Sequence, residues 1–203
     1  MITGNPFIPL AKTPFNDSDI IFRGLTPDYG KVSMLVRRAG QISRTSYPVA
    51  DIFRELDIEF NDETKGEIYT ADKVDLACEF GDGILESRNY KFLGRISSFL
   101  LKNVPINVPQ IYTYNALRCI MENLGSNAED SWSLIQCSVV LKMVFLSENG
   151  YLPEANSEEQ IEFIDNLIVA GTENLPLPQC SDEYWKSLNS WLDALLSYNH
   201  LEK

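Results

Sequence analysis

The hydrophobic pattern changes period once along this chain, at Gly81-Asp82-Gly83, and that switch limits the possible folds more than any other feature. Before it, strand-length apolar runs occupy residues 7–12, 19–25, 31–38, 48–60 and 67–78 and are rich in Ile, Val, Phe and Leu. Turn chemistry separates them at residues 14–18, 26–30, 38–46 and 61–66. In the second of these breaks Pro27 presets the turn, and Gly30 supplies a positive φ at the entry to the next strand. Asp57-Ile58-Glu59-Phe60 alternates polar and apolar as a half-buried strand requires, and residues 68–73 continue the period of two less cleanly. Five such strands in succession predict a small closed or nearly closed barrel.

After the switch the spacing is helical. Residues 85–101 place Leu85, Phe92, Ile96, Phe99 and Leu100 on one face, and residues 111–124 do the same with Ile111, Tyr114, Leu117, Met121 and Leu124. The proline-bearing stretch 103–109 divides them. Residues 132–145 are apolar on most faces, which predicts the central helix of this half. Residues 158–169 and 183–198 predict two more helices, divided at 171–179 by two prolines. A chain of 203 residues is long enough for two small domains, each with its own core, expected over 1–80 and 81–203.

Charge limits function. The formal net charge is −12, unfavourable for binding a polyanion, but it is unevenly spread. Between Arg23 and Arg54 six bases (Arg23, Lys31, Arg37, Arg38, Arg44, Arg54) stand against two acids, Asp28 and Asp51. Between Lys142 and Lys186 nine acids stand with no base. The four cysteines show no CxxC pair and one histidine, His200, is available to join them, so no zinc site is expected. No apolar run reaches the roughly 18 to 20 residues of a membrane span, and the opening MITGNPFIPL lacks the order of a secretory signal, so a cytoplasmic protein with reduced thiols and no membrane contact is expected.

Catalysis finds little support. There is no G-x-S-x-G, P-loop, dinucleotide fingerprint or H-E-x-x-H. His200 lies close to the end of the chain, and the carboxylate pairs Asp17/Asp19 and Asp62/Glu63 fall in turns that favour Asp for backbone reasons. No catalytic residue, cofactor or metal is expected.

Two blocks of residues resemble a known family. Residues 17–21, then Leu25-Thr26-Pro27-Asp28-Tyr29-Gly30-Lys31, an apolar strand and Arg37-Arg38-Ala39-Gly40 are similar to the amino-terminal barrel of bacterial RecO proteins. Residues 136–153, ending Glu148-Asn149-Gly150-Tyr151-Leu152-Pro153, resemble that family's long central helix and its terminus. Together the blocks span roughly residues 6 to 155. The basic stretch is thinner than is usual there, and Glu154-Ala155-Asn156-Ser157-Glu158 stands where many members carry a four-cysteine zinc site, which resembles the zinc-less branch.

Pattern and resemblance together give an α+β fold, an OB-like five-stranded β-barrel followed by an all-helical domain. The resemblance implies a non-catalytic recombination mediator in DNA repair. It would bind single- and double-stranded DNA without sequence preference, anneal strands, and work with RecR and single-stranded-DNA-binding protein to help RecA load. Its location would be the bacterial cytoplasm, with the nucleoid when DNA is bound. The residues expected to touch DNA are Arg23, Lys31, Arg37, Arg38 and Arg44, whose cationic groups would contact phosphates. Tyr29 and Tyr47 are the nearest aromatic side chains for base stacking, although packing is the commoner role for such residues. An interaction scaffold of the same fold with weak or no direct DNA binding is the alternative that the net charge favours.

Overall fold

The computed structural model describes residues 2–39, 49–61, 68–126, 128 and 131–202. Strands β1 (Ile2–Phe15), β2 (Asp19–Thr26), β3 (Gly30–Val36), β4 (Arg54–Asn61) and β5 (Ile68–Glu79) close into a barrel in the order β1-β2-β3-β5-β4. Every pairing is antiparallel except β3 with β5, where Ser33–Leu35 run parallel to Ile68–Thr70. This is the expected OB-like barrel. Alternation sets its inside: Phe22, Val32, Met34, Leu56, Ile58 and Phe60 point inward and are buried. Phe60 meets Tyr29 and Tyr69 at ring distances of 5.4 and 5.0 Å.

Three boundaries differ from the sequence reading, each for a backbone reason. β1 runs on through Pro14 to Phe15 instead of ending at residue 12. Its first half pairs with β4 and its second with β2, with a bulge between Pro9 and Ala11, so Pro6 and Pro14 each lie where the strand has one partner. The strand expected from residue 48 begins only at Arg54. Pro48 lies outside the described residues. Before Arg54, Asp51 Oδ1 accepts from Ile52 N at 2.7 Å, and Phe53, at φ 61°, donates its N–H to Pro9 O at 3.0 Å. That local hydrogen bonding turns an apolar stretch away from strand geometry. β3 stops at Val36, two residues short of Arg38.

Past a single 3-10 turn at Asp82–Leu85 come α1 (Ser87–Asn103), α2 (Ile111–Gly125), α3 (Leu134–Glu148), α4 (Glu158–Glu173) and α5 (Asp182–Tyr198). The glycines at the period switch are required by packing. A Cβ on Gly81 would stand 2.7 Å from Gly125 O, and one on Gly83 would collide with Leu124 O. α3 buries Cys137, Val139, Val140, Leu141, Met143, Val144, Phe145 and Leu146 on nearly all sides, as its composition predicted. It starts with a capping box, Ser133 and Gln136. At its other end Glu148 accepts from the N–H groups of Tyr112 and Thr113 at 2.9 and 2.8 Å, satisfying donors at the start of α2.

The chain forms two compact units. One comprises Met1–Phe80 with Val104–Ile111, the other Gly81–Asn103 with Tyr112–Lys203. The segment read as a helix-to-helix linker therefore belongs with the barrel.

Candidate nucleic-acid interface

The β2–β3 hairpin holds most of the expected site. Register pairs Arg23 with Ser33 and Leu25 with Lys31, so Arg23 and Lys31 stand two rungs apart as diagonal neighbours on one face. Phe22, Val32 and Met34 fill the barrel, which leaves Arg23 and Lys31 on its outer face. Ala11 of β1 and Ser33 flank Arg23, and both are too short to cover its exposed guanidinium. Burial pushes the Lys31 ammonium below its usual lysine value, and the Arg23 charge pushes in the same direction. A phosphate between the two would relieve that repulsion.

The hairpin turn is held from both sides. Thr26 Oγ1 accepts from Tyr29 N at 3.1 Å, and Asp28 Oδ2 accepts from Asn5 Nδ2 at 2.6 Å. Gly30 takes φ 59°, and a Cβ there would collide with Val108 O and lie 3.1 Å from Pro105 O. The segment containing those carbonyls is pinned to the turn by Lys31 N to Pro105 O at 3.2 Å and Gln110 N to Pro27 O at 2.8 Å. Thr26-Pro27-Asp28-Tyr29-Gly30-Lys31 thus has a structural reason for its Gly.

Arg37 and Arg38 are exposed and follow the end of β3 in a turn, not on the strand where the sequence reading put them. Arg38 sits at φ 58° and donates its backbone N–H to Asp19 Oδ1 at 2.9 Å, which ends the ladder there. From Lys31 to the strand end is about 17 Å at the rise of a β-strand. Arg23, Arg37 and Arg38 enter no ion pair among the described residues. Other barrel bases are committed: Lys12 to Asp51 and Arg54 to Glu79, each at 2.6 Å, and Lys73 to Asp75 and Glu59. Arg44 and Tyr47 lie outside the described residues. Tyr29 is half-buried with its ring edge-on to Phe60, so it packs rather than offering an open face to a base.

The sequence reading passed over a second basic surface, on α1. Arg88, Lys91, Arg95 and Lys102 are exposed, and the 17-residue helix contains no acid. At 3.6 residues per turn the four positions fall within about 60° of arc. Their spacing of three, four and seven was legible in the sequence at the helical period. Lys102 pairs with Glu202 at 2.6 Å, and Arg95 lies 6.0 Å from the Phe92 ring.

Other candidate residues have structural duties. Gly150, at φ 72°, and Tyr151 donate to Ser147 O and Leu146 O, a Schellman cap on α3, so the family-like Gly-Tyr-x-Pro terminus is explained by helix ending. His200 takes the same place after α5, at φ 57°, with Leu201 N donating to Leu196 O. Among the described residues no group of three or more His, Cys, Asp or Glu is placed to hold a metal, and no helix is long and apolar enough to cross a membrane. The sequence matches no protein-family model and no curated protein.

Proposed function

We propose that this chain is a non-catalytic, RecO-like DNA-binding mediator of recombinational repair. It binds single- and double-stranded DNA without sequence preference, anneals strands, and with RecR helps RecA load in the bacterial cytoplasm. The observation that carries the reading is the outer β2–β3 face of an OB-like barrel, with Arg23 and Lys31 diagonal neighbours two rungs apart and Arg37 and Arg38 past the strand end. In barrels of this architecture the face of strands 2 and 3 is where oligonucleotides lie. Arginines take phosphate oxygens in bidentate fashion, and the described part of this face lacks an open aromatic platform, so binding is electrostatic and steeply salt-sensitive.

Single-stranded-DNA-binding protein enters through its acidic, hydrophobic tail. Among the described residues the helical unit has a groove whose chemistry fits such a tail, about 430 Å³ in volume, with Phe92, Ile96 and Leu134 among its apolar walls and Arg95 at its edge. Its other cation, Lys142, is already held by Asp193 at 2.7 Å and Asn189 at 2.8 Å.

Fluorescence anisotropy of a labelled single-stranded oligonucleotide tests the DNA reading. Wild type should bind at low salt and weaken at moderate salt, and Arg37→Glu/Arg38→Glu should weaken binding at least about tenfold, since reversing two cations removes phosphate contacts and adds repulsion. Unchanged binding by the double variant would move the site elsewhere. A second reading, a scaffold of this fold acting through RecR without gripping DNA itself, is favoured by the exposed carboxylates Asp57, Asp72, Asp75 and Glu79 on β4 and β5. It predicts no oligonucleotide binding even at low salt.

A further inference from the structure

α5 has two apolar stripes, and one of them is only partly covered among the described residues. Trp185, Leu192 and Leu196 are buried along one side of it. Tyr184, Leu188 and Trp191 recur at helical spacing about 100° away, and Tyr184 and Trp191 remain 46% and 40% exposed. α4 is similarly underused: of its 16 residues only Leu167, Ala170 and Gly171 are buried. α4 and α5 both pack on α3 and meet each other through the edge-on pair Phe163–Tyr184, at 5.7 Å. Between them lies a groove of about 520 Å³, walled by Phe163, Tyr184, Leu188 and Trp191 and bordered by the exposed carboxylates Glu154 and Glu159.

We propose that this groove docks a basic amphipathic helix of a partner protein, with its apolar side chains between α4 and α5 and its Lys or Arg groups against Glu154, Glu159 and the aromatic rings. Charge selects this occupant. All of the groove's lining except Leu188 and Trp191 comes from the stretch that holds nine acids and no base between Lys142 and Lys186, and two of those acids, Glu154 and Glu159, border it. Lys186 itself projects from the side of α5 opposite the Tyr184–Leu188–Trp191 stripe. Aromatic faces attract ammonium and guanidinium groups, and nearby carboxylates add to that attraction. An apolar groove between two helices is the geometry that receives a helix through anchors at i, i+3 or i+4, and i+7. Nucleic acid and acidic tails are repelled by the same charges, so the site is separate from the DNA-binding reading and does not rest on it.

The probe is a synthetic 18-residue helix of Lys and Leu in amphipathic order, titrated into the full chain while tryptophan emission is followed. Trp132 and Trp185 are buried, so the exposed Trp191 is the reporter. The Lys–Leu peptide should shift its emission and bind less tightly as salt rises, whereas a Glu–Leu peptide of the same order should not bind. By calorimetry, Glu154→Gln/Glu159→Gln and, separately, Trp191→Ala should each weaken the Lys–Leu peptide about tenfold or more. Asp72→Asn/Asp75→Asn on the barrel should leave its affinity unchanged. Equal affinity for wild type and both groove variants would overturn the proposal, as would an equal effect of the barrel pair. Spermidine binding as tightly as the peptide would also overturn it, by assigning the groove to a small polycation.

Discussion

At the scale of single residues, close approach is as decisive as hydrophobicity. Gly24 pairs with Pro9 across β2 and β1, and a Cβ there would collide with Ile8 O and come within 2.7 Å of Phe7 Cε2. Gly24→Ala should therefore cost about 1–3 kcal/mol, the usual penalty of overpacking, read from the urea midpoint; a cost below about 0.5 kcal/mol would contradict the packing described. The cysteines give a chemical test. Burial pushes the Cys137 thiol up to about 12; burial, helped by the Glu122 charge, pushes Cys119 up to about 11. Because these folded-state values lie above that of an unfolded thiol, the stabilisation is complete below the ordinary thiol value. It is lost as pH rises from there toward 11 and 12, since the unfolded chain sheds protons that the native one keeps. At pH 8, iodoacetamide should modify the partly exposed Cys78 and Cys180 while sparing Cys119 and Cys137, as peptide mass mapping would show. Legibility at this scale was uneven. The sequence reading put Arg37 and Arg38 at the end of a strand over 31–38, but their place in a turn depends on Asp19 accepting the Arg38 N–H, a contact 19 residues apart that no local pattern encodes.

At the scale of elements, hydrophobic period and turn chemistry carried most of the architecture. Among the described residues each expected strand and helix has a counterpart in the same order, although β1, β3 and β4 differ in their bounds, because both patterns report which side faces a core. The errors are those of competition between local and distant bonding. Residues 49–53 are apolar enough for a strand, yet Asp51 engages Ile52 N and the Lys12 ammonium, and the chain turns. β1 passes through prolines that read as a break because each half of it has a single partner. The basic stripe of α1 needed a helical wheel rather than a charge count. Capping offers the sharpest test at this scale: Ser133→Ala removes the acceptor for Gln136 N at the start of α3 and should cost about 1 kcal/mol, read as a lowered thermal midpoint with unchanged helix content by circular dichroism. Ser133→Asp should retain most of the stability, since a carboxylate also accepts that N–H and favours a helix start.

For the whole molecule, the net charge of −12 gives little guide to binding, because its distribution is polar. Arg23, Arg37 and Arg38 stand exposed on the β2–β3 face and past its end, Arg88, Lys91 and Arg95 line α1, and the stretch between Lys142 and Lys186 holds nine acids and no base. On the proposed reading, a polyanion on the β2–β3 face would be attracted by the local cations whatever the net charge. Weakening should follow salt in proportion to the number of phosphates engaged, and each group on the face should contribute through charge rather than base identity. The most direct test is the salt dependence of single-stranded oligonucleotide binding by the full chain, measured by anisotropy for wild type and for Arg23→Glu/Lys31→Glu. With four cations engaged, the slope of log K against log salt should be about −3 for wild type, fall by about half in the double variant, and change little between homopyrimidine and mixed sequences. A wild-type slope near zero, or a slope that the double variant leaves unaltered, would contradict DNA binding by the β2–β3 face.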